Sequence, residues 1–531
     1  MDIASWYAVA LGSLILASVL PCVLLSAISI AQRYGKLLFL KYLYYPQIPN
    51  SLRRSSKTSL FDLLVLLVFI AANVVALSIG VGGIASFVRR SGLISVVNLI
   101  PLFLGGYSDI TSQCGIGLRA YARIHRWIGR VAIIEGLLHA IASVSSQGLN
   151  INLKTDIAGL SAMIIFLLIL PSGILRPRMY EIFLNVHFVL SLAVLIFLYL
   201  HTPTDLLIPP AVYFFVAICL LIAAGCVRSG QVIYRNIRYR KPLSRASVRT
   251  ITFKRSTGGD IPLSDAVHLH VRLSRGWKHR AGQYVYLCMP GVSRTSFAQL
   301  HPFYVAWWYR DGDDDYAVFI IQRRRGFTDR VFAWRRNDYD KATDLATVLE
   351  GPYGKELSLD SYGTVLLFAT GIGIAGQLPY VAQLLSGHHN YEVKTRRIAL
   401  FWQVDSEIQT AWVADRMQQL LKQDTDKILD IHIYVLGNFL SRVTDQGDYV
   451  QLGERIDMTY GPLHIREVIN DEMKQRKGRT AISVCTDDET SDAIRQVIRS
   501  MTDNTVSLKE LEFSPSKSSL RSKSKSIFST A

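Results

Sequence analysis

The chain has 531 residues, 50% of them hydrophobic, with 58 Lys plus Arg against 41 Asp plus Glu for a formal charge of +17. Long apolar runs crowd into the first 230 residues and a more polar remainder follows, which excludes a single globular domain and leaves room for a membrane bundle and two soluble domains. Much of the basic excess flanks the apolar runs, where a cytoplasmic membrane face accounts for it; membrane lipid is the expected environment, no nucleic-acid partner is expected and no protein partner is identifiable.

In chain order, the runs near 8–30, 60–80, 125–145, 157–174, 181–200 and 210–227 are long enough to span a bilayer, and 93–106 is a shorter candidate flanked by Arg89 and Arg90. The count is seven spans, with six as the alternative. No basic n-region or small-residue cleavage site marks the N-terminus, so 8–30 reads as a retained span. Basic clusters follow the first span (Arg33, Lys36, Lys41, Arg53, Arg54, Lys57), precede the fourth (Arg119, Arg123, Arg126), and follow the fifth (Arg176, Arg178) and the last (Arg228, Arg235, Arg238, Arg240, Lys241). With seven spans all four lie on the cytosolic side, the N-terminus is outside and everything beyond 230 is cytosolic; Arg89 and Arg90 then sit on the wrong side. The plasma membrane is the expected location, with the vacuolar membrane as the alternative.

Only four histidines, His125, His139, His187 and His201, occur in this half, in two pairs with the same spacing of fourteen. Fourteen helical residues turn through about 1400°, within roughly 40° of four full turns, and rise about 21 Å. Each pair therefore lies on one helix face near opposite membrane surfaces. The two helices are separated by one span and run in the same direction, so His125 should meet His187 on the cytosolic side and His139 should meet His201 on the outer side. An intramembrane histidine is costly unless it is paired or bound to a metal, and two axial imidazoles at each level suit two haems that transfer electrons rather than bind oxygen. Arg126 and Arg130 are placed to meet haem propionates or to serve as plain positive-inside anchors, and Glu135 needs a polar partner that the sequence does not name.

Residues 245–355 read as a small antiparallel barrel, with strands at Val248–Phe253, Val267–Leu273, Tyr284–Cys288, Phe303–Tyr309, Tyr316–Gln322 and Ala346–Leu349. From 360 to 513 the texture is strand, glycine turn and helix: Thr364–Thr370, Gly371–Gly376 and Leu378–Leu385, then strands at Ile398–Val404, Ile431–Leu436 and Thr480–Cys485, a parallel α/β pattern. The run Gly371-Ile372-Gly373-Ile374-Ala375-Gly376 lies where a strand hands over to a helix, as a pyrophosphate cradle requires. Residues 514–531 are Ser/Lys-rich and read as a disordered basic tail. The cysteines Cys22, Cys114, Cys219, Cys226, Cys288 and Cys485 are scattered without a CxxC, which excludes a disulfide framework and a zinc site.

The order of parts resembles the ferric reductase family, fungal type, in the superfamily that includes NADPH oxidases. The resemblance covers nearly the whole chain. It rests on His125-Arg126-Trp127-Ile128-Gly129-Arg130 with His139, the His187/His201 pair, Ala281-Gly282-Gln283-Tyr284, His301-Pro302-Phe303, Glu350-Gly351-Pro352-Tyr353-Gly354, Gly371 to Pro379, the terminal Leu511-Glu512-Phe513, and the fungal-looking Asn98 to Phe103 and Gln377 to Tyr380. It implies a helical membrane bundle (1–230, with the bis-haem part at about 93–227), an FAD-binding antiparallel barrel and an α/β NADPH-binding domain of the ferredoxin reductase type. By the same resemblance Gly282, Gln283, His301, Pro302, Phe303 and Tyr304 lie near FAD, and Gly371, Gly373, Ala375, Gly376 and Cys485 near the nicotinamide nucleotide.

Three positions depart from the family pattern: Tyr304 replaces a usual Ser or Thr, Asp405 stands where Arg often follows the second strand, and Cys485-Thr486-Asp487 replaces Cys-Gly-Pro. Asp405 at the ribose would disfavour a 2′-phosphate, which leaves NADH open beside NADPH, and Cys485 is otherwise a plain strand-end cysteine. The implied activity is NADPH-dependent reduction of an external ferric or cupric chelate through FAD and two b-type haems. A superoxide-generating oxidase, or a redox enzyme acting on a small organic metabolite, shares the same electron path.

Overall fold

A computed structural model describes residues 32, 34–47, 58–104, 117–176, 179–202, 210–253, 261–324, 326–336, 344–437, 449–451, 454–501, 505–513 and 515. The expected first span and the basic tail lie outside the described residues, except Pro515.

Among the described residues, six long helices lie in the N-terminal half: α1 (Leu60–Ser78), α2 (Ile84–Leu99), α3 (Leu118–Gln147), α4 (Lys154–Ser172), α5 (Tyr180–His201) and α6 (Ala211–Asn236). Each is long and apolar enough to cross a membrane, α2 when its following turn to Phe103 is counted, and the chain is a multi-pass membrane protein. α1 starts on a capping box in which Asp62 N–H donates to Ser59 Oγ at 3.1 Å while Asp62 Oδ2 accepts from Ser59 N–H at 2.8 Å. The same carboxylate pairs with Arg123 at 2.5 Å, tying the starts of α1 and α3 together. α1 buries none of its residues, as a helix facing lipid should not.

The expected short span at 93–106 is corrected: the helix begins at Ile84, so Arg89 and Arg90 lie inside it. Arg90 reaches back to the last carbonyls of α1, at Ile79 and Ala76, which have no partner within their own helix. A guanidinium that can snorkel to a helix end is tolerated in a span, and this accounts for Arg90.

α3, at 30 residues, runs about 45 Å and overshoots a hydrocarbon core of roughly 30 Å. α6 also continues past the apolar run to Asn236 and carries the soluble half on its end. Arg228 grips the buried Glu350 carboxylate at 2.9 and 2.8 Å, the Tyr353 hydroxyl donates to the same carboxylate at 2.9 Å, and Asn236 exchanges two bonds with the Leu349 backbone at 2.7 and 2.9 Å.

The next domain is built of β1 (Arg245–Phe253), β2 (Ile261–Arg272), β3 (Tyr284–Cys288), β4 (His301–Tyr304), β5 (Trp307–Asp311), β6 (Asp314–Gln322), the helix α7 (Phe327–Arg336), β7 (Leu345–Ala346) and β8 (Val348–Tyr353). Two antiparallel sheets, ordered β5-β6-β2-β1-β7 and β4-β3-β8, form a half-barrel. Val267, Leu269 and Val271 alternate into its core against Val285, Leu287, Phe319 and Ile321. The single strand expected at Phe303–Tyr309 is two: β4 pairs with β3 and β5 with β6, so the chain changes sheet at Val305–Ala306. The Ala346–Leu349 strand likewise divides into β7 and β8, and α7 was not anticipated.

The last domain holds β9 (Thr364–Thr370), α8 (Ile374–His389), β10 (Arg397–Val404), α9 (Ala414–Gln423), β11 (Leu429–Val435), β12 (Tyr449–Gln451), β13 (Ile456–Tyr460), α10 (Ile465–Lys474), β14 (Thr480–Cys485), α11 (Asp488–Ser500) and β15 (Val506–Glu510). The sheet order is β12-β13-β11-β10-β9-β14-β15, parallel except for the β12–β13 pair. Every residue of β9 is buried, which explains its unbroken apolar run. From β9 the chain moves to β10 on one side and later to β14 on the other. The carboxyl end of β9 is therefore the topological switch point, where open α/β sheets bind ligands.

Candidate functional site

The four membrane histidines meet in the expected registry. The His125 and His187 ring centroids lie 6.0 Å apart and those of His139 and His201 lie 6.1 Å apart, both pairs bridging α3 and α5. An iron held by two imidazole nitrogens at roughly 2 Å each sets ring centroids about 6 Å apart, so each gap has the size of a bis-imidazole centre. Two imidazoles are too few for a bare transition ion but are the axial complement of a haem, whose macrocycle supplies the remaining donors.

In the His139/His201 pair, Nδ1 of His139 lies 2.8 Å from the Val88 carbonyl and Nδ1 of His201 lies 2.8 Å from the Thr155 carbonyl. A carbonyl only accepts, so Nδ1 carries the proton on both rings and Nε2 presents its lone pair, the outer-shell arrangement that orients metal-bound histidine. In the other pair, Nδ1 of His125 and of His187 is buried without a hydrogen-bond partner among the described residues. Two glycines make room for the His139/His201 pair. A Cβ at Gly92 would lie 2.8 Å from His139 Nδ1, and one at Gly159 would lie 2.6 Å from His201 Nδ1. Neither glycine was singled out in the sequence. A glycine inside an apolar helical run, about 1 kcal/mol worse than alanine, is the signal that marks them.

Glu135 finds the partner it needs. Asn98 donates to its Oε2 at 2.7 Å and to Asn73 at 2.8 Å, joining α1, α2 and α3 inside the bundle. Arg130 stacks on the Trp127 ring at 4.8 Å.

In the soluble half, the β4 alternation divides the flavin-motif residues. His301 stacks on Phe327 at 4.2 Å and Phe303 packs against the barrel core, whereas Tyr304 points away into a cluster of Tyr284, Tyr286, Tyr353 and Phe513. Burial, aided by Arg330, pushes the His301 imidazole down to about 4, so it is neutral at neutral pH. Pro302 sits opposite Tyr286 in the β3–β4 ladder. The Gln283 side chain is engaged within its own turn, accepting from Trp277 Nε1 at 3.1 Å and from the Arg280 amide at 3.0 Å. Gly282, at φ +80°, leaves space that the Tyr380 hydroxyl fills.

The turn after β9 begins at Gly371, with φ +48°, and its carbonyl accepts from Trp402 Nε1 at 2.9 Å. A Cβ at Gly373 would overlap the Cys485 carbonyl, and one at Gly376 would lie 2.6 Å from Leu511 and 3.2 Å from Tyr304. Ala375 is buried beside them at the start of α8. The turn is held by the buried Gln377, which donates to Phe368 O at 3.0 Å and accepts from Ser483 at 2.9 Å, linking β9, α8 and β14. Tyr304 reaches the turn from the barrel: the Phe513 amide donates to its hydroxyl at 2.8 Å, and burial pushes that hydroxyl well above the usual tyrosine range. The Cys485 thiol lies 3.4 Å from the Phe513 carbonyl. The turn glycines, Cys485, Gly282 and Tyr304 thus converge on one face where barrel and α/β domain meet. Asp405 follows β10, its amide donating to Gln409 at 3.0 Å.

Residues 91–198 match the family model described as ferric reductase like transmembrane component, 251–357 match an FAD-binding domain, and 362–529 match the ferric reductase NAD binding domain. The chain belongs to the ferric reductase family. Its FAD-binding and NAD-binding domains are the half-barrel and the α/β sheet described above. Among similar proteins, ferric reductase transmembrane component 6 of Saccharomyces cerevisiae is 24% identical over 56% of this chain and 40% of its own length. Ferric/cupric reductase transmembrane component 2 of the same yeast is 24% identical with the same coverage. The probable cell surface ferric reductase kap2 of Aspergillus oryzae is 24% identical over 66% of this chain and 47% of its own length. This ferric reductase family member therefore aligns with less than half the length of these curated relatives.

Proposed function

We propose that the protein is a transmembrane metalloreductase, an NADPH-dependent ferric-chelate reductase that moves electrons from cytosolic NADPH through FAD and two b-type haems to an external ferric or cupric chelate. The observation that carries this reading is the pair of histidine contacts, at 6.0 and 6.1 Å, in a bundle whose last helix leads into an FAD-binding and an NAD-binding domain. When bound, the nicotinamide gives electrons in twos, the flavin passes them on singly and each haem iron takes one.

The chain's own residues bind and orient. His125 with His187, and His139 with His201, would hold the two haems through their imidazole nitrogens; the Val88 and Thr155 carbonyls fix the tautomer of the second pair. The turn from Gly371 to Gly376 would hold a pyrophosphate through its backbone amides, and Cys485 and Phe513, 3.4 Å apart, would flank the nicotinamide side. An Asp405 carboxylate at the ribose would repel a 2′-phosphate and so weighs toward NADH against NADPH. The names of the yeast relatives support iron or copper as the acceptor, and the cell-surface relative supports the plasma membrane over the vacuolar one.

Cofactor analysis of the purified chain tests the reading, with two b-type haems and one FAD per chain and NADPH-driven reduction of a ferric chelate expected. Membranes with no b-type signal in the reduced-minus-oxidised spectrum, or His139→Ala and His201→Ala variants that retain it in full, refute it. Dye reduction sensitive to superoxide dismutase in place of chelate reduction identifies an oxidase instead.

A further inference from the structure

The first turn of α3, the helix that carries His125 and His139, starts at Gly117, which offers no side chain to cap the helix. Its cap comes from the far end of the chain. Glu512 Oε2 accepts from the Leu118 amide at 3.0 Å across 394 residues of sequence, and a Cβ at Gly117 would lie 3.2 Å from the Glu512 carboxylate, so the glycine permits the approach. A carboxylate at a helix N-terminus is favoured by the unpaired amides and by the helix dipole.

The flanking residues hold two other bodies. Leu511 is buried in the α/β domain, its amide donating to the Val484 carbonyl at 3.1 Å and its side chain lying against Gly376. Phe513 packs on Tyr284 at 4.6 Å and on Tyr304 at 5.7 Å, where its amide is also bonded. Three consecutive residues thus join the nucleotide domain, the helix of the histidine pairs and the flavin face of the barrel. Leu118 lies seven residues, about 10 Å of helix, before His125.

We propose that Glu512 is a positioning residue: by docking the C-terminal segment on the first turn of α3, it sets the separation of the Tyr304–Phe513 face from the His125 end of the bundle, and so governs electron delivery into the membrane half without affecting NADPH oxidation. This rests on the function proposed above.

The test uses the full chain in detergent. In Glu512→Ala, NADPH-driven reduction of a soluble dye that takes electrons from the flavin should keep its KM and rate, while haem reduction followed in the visible spectrum falls several-fold. Hydrogen exchange at the amides of residues 118–121 should quicken. Glu512→Gln, which still accepts a hydrogen bond, should recover most of both. Haem reduction at the parent rate in Glu512→Ala, loss of dye reduction in parallel, or unchanged exchange overturns the proposal. Purified parent protein without haem refutes the function instead, and the exchange measurement still decides whether the dock exists.

Discussion

Gly159→Ala places a methyl group against His201 and offers a quantitative test of the haem site proposed at the His139/His201 pair. The new Cβ would lie 2.6 Å from Nδ1 and 2.7 Å from Cε1, so the ring must retreat by about 0.8 Å to reach an ordinary 3.4 Å contact. Its Nδ1 is held at 2.8 Å by the Thr155 carbonyl, one turn earlier on the same helix, and the retreat strains that bond. Overpacking costs about 1–3 kcal/mol and a weakened hydrogen bond about 1 kcal/mol more. Alanine instead of glycine in a helix returns only about 0.5–1 kcal/mol, so the sign is unfavourable. At about 1.4 kcal/mol per decade, the net loss weakens haem binding roughly ten- to hundred-fold at that level alone. The assay is the rate of haem transfer from the purified protein to excess apomyoglobin: one of two phases should accelerate by at least about tenfold while the other is unchanged. Gly225→Ala on α6, where nothing lies within 4 Å, is the control and should match the parent. Both haems leaving Gly159→Ala at the parent rate would refute the reasoning.

Other substitutions probe the soluble half and its attachment. Arg228→Ala strands the buried Glu350 carboxylate and should lower stability by about 3 kcal/mol, read as a lower temperature of flavin release; Arg228→Ala with Glu350→Gln should recover part of the loss. His270, His279 and His301 are each pushed down to about 4, chiefly by burial, so the unfolded chain binds more protons between about pH 6.5 and 4. Stability of the barrel should therefore be full above pH 6.5 and decline as the pH falls through that window; a melting temperature that is flat or rises from pH 7 to 5 contradicts this. Asp405→Arg should raise the NADPH-to-NADH ratio of kcat/KM at least about tenfold, and an unchanged ratio removes Asp405 from the ribose.

Much of the architecture follows from local pattern alone. The spacing of fourteen put the histidines in two registers because the helix repeat is intrinsic to the backbone, and the structure pairs His125 with His187 and His139 with His201 accordingly. The apolar run of β9 and its glycine turn were legible for the same reason: a buried strand and a turn of unusual φ each constrain the residues within them. Only tertiary structure decided which residues serve those elements. Asn98 satisfies Glu135, Gly92 and Gly159 leave room for imidazoles on other helices, Arg90 serves the end of α1, and Glu512 caps a helix that begins 394 residues earlier. Strand β4 departs from β5 because each pairs with a different sheet, a choice absent from their shared apolar run. Periodicity is a property of neighbours along the chain, whereas a partner for a buried polar group or space for a ring exists only once separate elements have packed.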